Sequence, residues 1–202
     1  IKRKPGVNYT SLWLNDKGFR KDLTAHEVDI DPRLLFYPSE AFAQSNNNCS
    51  SAEMREKQRD WVRLYKEEGY TVDAAYVMTA FGCNLEGPIP QERILDDFRF
   101  ILQLCEEENI PVPILVVADT MGWGNPEAVK RMIGALRELA PEARIGMHIH
   151  DTRGLGIANV YAALSMGVDM FESSVAGLGG CPFAGHGHAR AAGNVCTEDA
   201  VF

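Results

Sequence analysis

The chain has 202 residues, 46% apolar and 24% charged, with a formal net charge of −8. That length supports one sizeable core, and the acidic balance argues against a nucleic-acid or anionic-membrane partner. No apolar run approaches the roughly 18 residues of a membrane span, and five cysteines without a CxxC spacing suit reduced thiols, in the cytoplasm or a mitochondrial matrix.

Residues 7–14 read as a strand, residues 17–25 as a short helix and residues 34–37 as a short apolar strand. Ser50 and Ser51 followed by Glu53 have capping-box spacing, which predicts a helix reaching residue 68 and ended by Gly69. Residues 71–80 are strand-like. Pro90 opens a helix to residue 109, with Ile94, Phe98, Ile101, Leu102 and Cys105 along one face. The apolar run 112–117, bounded by Pro113 and Asp119, has the pattern of a strand covered on both faces. Asn125 and Pro126 cap and open a helix to residue 140. Residues 143–147 lead as a strand into a histidine pair. A helix over 157–166 ends at Gly167, a strand covers 168–174, and Thr197, Glu198 and Asp199 begin another helix.

Strict alternation of strand and helix means a parallel sheet. No GxGxxG follows the first strand, which argues against a dinucleotide-binding fold. Glu40, Cys83, Asp119, His148, His150 and Cys181 all fall just after strands. In a barrel such positions converge on the C-terminal mouth. The expectation is therefore α/β, a partial (β/α)8 TIM barrel with about six of the eight βα units. It is expected to be a fragment of a single catalytic barrel domain over residues 1–202, with the first two βα units and the C-terminal end outside the chain and no useful catalysis by itself. Open sheet edges would favour a homo-oligomer.

Two segments carry chemistry. In MHIHDTRG, residues 147–154, strand alternation sends His148 and His150 to one face and Ile149 to the other. Two adjacent imidazoles are half of a metal site, although one buried structural histidine beside an exposed one has the same spacing. The segment SSVAGLGGCPFAGHGHARAAGN, residues 173–194, is costly to order, as functional loops often are; a surface loop with incidental residues is the alternative. It carries Cys181, His186, His188 and Asn194. His186 and His188 read as solvated loop residues. Trp61, Leu64 and Tyr65 form a core-facing stripe, and Cys49, Cys105 and Cys196 have no expected chemistry. Cys83 and Glu86 are candidates for lining the mouth.

SSVAGLGGCPFA closely resembles the signature loop of the 3-hydroxy-3-methylglutaryl-CoA lyase family. The resemblance runs through PGVNYTSLWLN, SEAF, NNNCS, GCNLEG, ADTMGWGNP, HIHDTRG and GNVCTED. Homocitrate and isopropylmalate synthases share the histidine pair but usually lack the GGCP loop. The resemblance implies metal ligation by His148, His150 and Asn194, with His148 also counted as catalytic, and a catalytic loop thiol at Cys181. It further implies a catalytic acidic residue at the strand end, Asp119, and a supporting acidic pair, Glu198 and Asp199. The implied substrate is a small acyl-CoA, cleaved to acetyl-CoA and acetoacetate.

The family's metal-binding aspartate and neighbouring arginine belong to a strand that would precede Ile1. The cysteine loop is longer here, with two added histidines, and residues 26–33 look like a small insertion. Ligation by nitrogen and oxygen without thiolate suits Mg2+ or Mn2+, with Zn2+ also compatible. Cys181 would act as proton donor or gate, with a small buried hydrophobe as its alternative. Two other functions remain open: a related condensing or aldol-type enzyme acting on a 2-oxo acid, and a non-catalytic barrel relic.

Overall fold

In the computed structural model, residues 2–13, 15–183 and 193–202 are described. Five strands, β1 (Arg33–Phe36), β2 (Ala74–Val77), β3 (Ile114–Asp119), β4 (Ile145–Ile149) and β5 (Met170–Glu172), form one parallel sheet in sequence order. The helices are α1 (Asp16–Leu23), α2 (Glu40–Asn47), α3 (Ser51–Glu67), α4 (Gln91–Glu107), α5 (Pro126–Leu139), α6 (Gly156–Ser165) and α7 (Thr197–Val201). This is the strand–helix alternation of a partial TIM barrel.

Local sequence sets the helix starts. Ser50 caps α3 by accepting from the Glu53 amide, and the Glu53 carboxylate accepts from the Ser50 amide at 2.7 Å. Asn125 accepts from the Ala128 amide, and Pro126 opens α5 at no cost in lost hydrogen bonds. Polar residues thus stop and start helices where the sheet needs turns.

The two faces of the sheet differ. Leu34, Phe36, Ala75, Val77, Leu115, Val117, Met147 and Ile149 point toward the helices and join Ile94, Phe98, Ile133 and Leu136 in the main core. Ala74, Tyr76 and Val116 form a separate small cluster on the other face, packed against Leu35, Ile114 and Met170. Period-two alternation makes that second face the barrel interior. Its curvature is visible in one contact. The Arg33 guanidinium on β1 reaches Glu172 on β5 at 2.6 Å, although three strands separate them in the sheet.

Three expectations need correction. Residues 7–13 form no strand: the Tyr9 amide donates to the Asp29 carboxylate at 2.8 Å, and the Asp29 amide donates to the Tyr9 carbonyl at 2.7 Å. The segment is held by the 26–33 region and by Trp13 packing on Phe19, not by a neighbouring strand. The described residues therefore contain five strands, not six. Second, α2 is an unexpected helix, capped by Ser39 and ended by Asn48 in the left-handed region. Third, the strands are shorter than their apolar runs, because pairing in β2 spans only Ala74–Val77.

Candidate active site at the strand ends

Register brings the histidine pair to its neighbours. His148 lies opposite Ala118 on β3 and Glu172 on β5. His150 follows the end of β4 and forms a backbone bridge with Asn194. The imidazoles of His148 and His150 face each other, with their Nε2 atoms 2.9 Å apart. Asn194 donates from Nδ2 to the Leu178 carbonyl at 2.9 Å, while its Oδ1 is buried with no hydrogen-bond partner among the described residues. Two close imidazole nitrogens, with an amide residue bridged through backbone to His150, supply nitrogen and oxygen donors of the kind a hard or borderline cation takes. Among the described residues, no three His, Cys, Asp or Glu side chains group into a metal site.

Sequence reading missed Glu172. Its Oε2 meets His148 Nδ1 at 2.8 Å, and its Oε1 accepts from Arg33 at 2.6 Å and from the Tyr76 hydroxyl at 2.7 Å. Arg33 also pairs with Asp31. Burial opposes the Glu172 charge, yet the hydrogen bond and charge of His148, the Tyr76 hydroxyl and Arg33 bring its carboxyl down to about 2. Burial and the Glu172 charge push the Tyr76 hydroxyl up. One signal was available: a Glu and an Arg on alternating strand positions that point to the interior of a parallel barrel.

Asp119 is 1% exposed. Its two oxygens accept from the Trp123 amide at 2.8 Å and the Gly124 amide at 2.9 Å, so the carboxylate shapes the turn after β3. A Cβ at Gly124 would stand 2.8 Å from that carboxylate, which is why the amide can approach only from a glycine. Burial lifts Asp119 to about 6, against those two amides and the positive charges of Arg153 and His148. Arg153 stacks over Trp123 and donates to the Gly122 carbonyl at 2.7 Å, tying the β3 and β4 turns together.

Cys181 sits half-buried on the glycine loop and packs against the edge of the main core. The loop turns through positive φ at Ala176, Gly177, Gly179 and Gly180. Its return passes so close that a Cβ on Gly193 would stand 1.5 Å from the Gly177 carbonyl oxygen. Glu198 supports this crossing by accepting from the Ala176 amide at 2.9 Å, and Asp199 lies beside it in the first turn of α7. His186 and His188 lie outside the described residues.

Cys83 is fully buried and closes the turn to Gly87 through backbone hydrogen bonds of 2.8 and 2.6 Å. Glu86 accepts from Ser39 and Arg93 and anchors the start of α2. Trp61 and Tyr65 pack on Phe19 and also line a cavity of about 580 Å3. That cavity reaches Arg33, Tyr76, His148 and Glu172, so the polar cluster opens onto space of ligand size.

Comparison with known proteins follows the same outline. The family model described as HMGL-like matches residues 11–202. The bovine mitochondrial hydroxymethylglutaryl-CoA lyase is 35% identical over 203 residues, covering 100% of this chain and 58% of that protein. The crystal structure of hydroxymethylglutaryl-CoA lyase from Pseudomonas aeruginosa superposes with a TM-score of 0.84 at 34% identity, covering 100% of this chain and 63% of that one. An HMG-CoA lyase from Acinetobacter baumannii, solved with coenzyme A and 3-methylmalate, gives 0.82 at 33% identity, covering 100% and 61%. The chain thus spans less than two thirds of the length of these relatives. No helix among the described residues is long and apolar enough to cross a membrane.

Proposed function

The chain belongs to the HMGL-like family, and from that premise we propose that it carries the active-site half of a metal-dependent carbon–carbon lyase. The substrate is a 3-hydroxy-3-methylglutaryl-CoA-like thioester, and the products are acetyl-CoA and acetoacetate. The observation that carries this reading is the pair of imidazole nitrogens 2.9 Å apart, with Asn194 bridged through backbone to His150. His148, His150 and Asn194 would hold Mg2+ or Mn2+, with Zn2+ also compatible. The bound ion would supply a Lewis acid that lowers the pKa of the substrate 3-hydroxyl.

The remaining work falls to the chain. The hydroxyl proton is removed, its electron pair forms the new ketone, and the C2–C3 bond breaks toward the thioester as an enolate. Asp119, whose carboxyl burial raises, is the proposed end of a relay for that proton, its own oxygens being held by the Trp123 and Gly124 amides. The Cys181 thiol returns a proton to the enolate carbon, giving the acetyl thioester, and its loop excludes water while it does so. The cavity beside His148 and Glu172 receives the acyl portion. Relatives named both mitochondrial and cytoplasmic match this chain. Five cysteines with no disulfide among the described residues suit either reducing setting.

A coupled assay for acetyl-CoA release from 3-hydroxy-3-methylglutaryl-CoA with added Mn2+, run on this chain joined to the barrel strands that its relatives carry beyond it, tests the reading. Release that needs the metal and is lost in Cys181→Ser supports it. Absence of cleavage, with condensation of acetyl-CoA onto a 2-oxo acid instead, overturns it in favour of a synthase. Absence of both reactions favours a non-catalytic barrel.

A further inference from the structure

Glu172 divides its two oxygens between different tasks. Oε1 is taken up by Arg33 and Tyr76, from the first and second strands, while Oε2 faces, among the described residues, only His148 Nδ1 at 2.8 Å. The two residues are Cα partners in the β4–β5 ladder, so both side chains leave the sheet on the same face. An ionised carboxylate only accepts, so Nδ1 must carry the proton in this contact. In the neutral imidazole the lone pair then lies on Nε2, the atom that faces Nε2 of His150. Without that partner the ring could turn or take the other tautomer, and either change would aim a hydrogen into the space between the histidines.

We propose that Glu172 is a positioning residue: it fixes His148 in its Nδ1–H tautomer with Nε2 turned toward His150, and Arg33 and Tyr76 hold Glu172 in place. The inference rests on reading His148 as a metal ligand and extends that reading across the barrel. Three strands then cooperate to orient one ring on a fourth. The arrangement also explains a guanidinium in the barrel interior. Arg33 balances Glu172 and Asp31 and leaves one carboxylate oxygen for the imidazole.

Two measurements test it on metal-free and Mn2+-loaded protein. Two-bond 1H–15N spectra of the metal-free protein at pH 8 report the tautomer of His148. Titration with Mn2+, read by the electron-spin signal of the free ion, reports affinity. Wild type is expected to show protonated Nδ1. Glu172→Ala should lose that preference and bind Mn2+ about 10–100-fold more weakly. Glu172→Gln offers a single acceptor oxygen, which Arg33 and Tyr76 take, so its amide N–H faces Nδ1 and should shift His148 to the Nε2–H tautomer with weakened affinity. If Glu172→Ala fails to fold, Glu172→Met fills the space without an acceptor, leaves Arg33 its Asp31 partner, and is expected to behave as Glu172→Ala.

Retention of protonated Nδ1 and of wild-type affinity in either acceptor-free variant would overturn the positioning role. So would a wild-type tautomer in Glu172→Gln. If His148→Ala and His150→Ala bind Mn2+ as wild type does, the metal reading fails instead, and the tautomer measurement still judges Glu172.

Discussion

The histidine pair and the cysteine loop meet at one end of the sheet but are built by different means. His148 stands on a strand, opposite Ala118 and Glu172, and its ring is fixed by side chains from β1, β2 and β5. Cys181 stands on a segment with four positive φ values in residues 176–180 and one close crossing at Gly193. Ladder hydrogen bonds place the first group; turn conformation places the second. A rigid pair suits ligation, which tolerates little error in distance, and a loop suits a group that must close over substrate and reopen.

The largest effects should separate the two regions. His150→Ala is expected to abolish measurable Mn2+ binding and acetyl-CoA release together. Cys181→Ser should cut turnover by about 10²–10⁴, the range for losing a proton-transfer group, with Mn2+ affinity unchanged. Parallel titrations and coupled assays read both. Loss of metal affinity in Cys181→Ser would erase the distinction and make the thiol part of the binding site.

Gly193→Ala sharpens the same contrast at the crossing. The new methyl would meet the Gly177 carbonyl oxygen, so backbone must move. An overpacked site of this kind typically costs about 1–3 kcal/mol. The expected result is a lowered melting temperature with Asn194 displaced, seen as weaker Mn2+ binding. Unchanged melting and binding would show that the crossing yields freely and does not set the amide.

The two carboxylates, half-buried Glu172 and buried Asp119, should also respond oppositely to acid. Glu172 sits near 2 when folded, below its usual 4.5. Between those values the folded chain binds fewer protons than the unfolded chain, so this contribution is complete above 4.5 and is lost as pH falls toward 2. Asp119 sits near 6, above its usual 3.8. There the folded chain binds more protons, so its contribution is present below 3.8 and is lost as pH rises through 6. Urea midpoints of wild type minus Glu172→Gln, and of wild type minus Asp119→Asn, should slope in opposite directions over these windows. Slopes of one sign would show that Asp119 is ionised as readily in the folded chain as in the unfolded one.

Much of this was legible in the residues. Alternating periodicity, the Ser50–Glu53 box and the Asn125–Pro126 start located helices and strands, because these signals are local. The histidine pair was legible because a strand repeats every two residues. Glu172 was not, since its partners Arg33 and Tyr76 lie 139 and 96 residues away and meet it only when the sheet curls. Residues 7–14 misled for the converse reason. An apolar pattern proposes a strand, but only a neighbouring strand makes one, and here Asp29 supplies the hydrogen bonds.

The smallest expected effect concerns how the cysteine loop docks. Phe183 meets the ring of Phe42 on α2 edge to face, with centroids 5.6 Å apart. Its carbonyl accepts from Asn84 at 3.3 Å, in the turn after β2. An aromatic pair of this kind contributes about 0.5–1.5 kcal/mol beyond its area, equivalent to at most about a tenfold shift toward the docked loop. Phe183→Ala should therefore raise the rate at which a thiol reagent modifies Cys181 and lower kcat by a similar factor, leaving Mn2+ affinity untouched because no histidine moves. Phe183→Leu, which keeps apolar area but loses the edge contact, should fall between the two. If Phe183→Ala changes neither rate, the loop is held by the Asn84 contact and by the glycine turns alone. The thiol would then be placed as firmly as the histidines, by backbone conformation instead of side-chain packing.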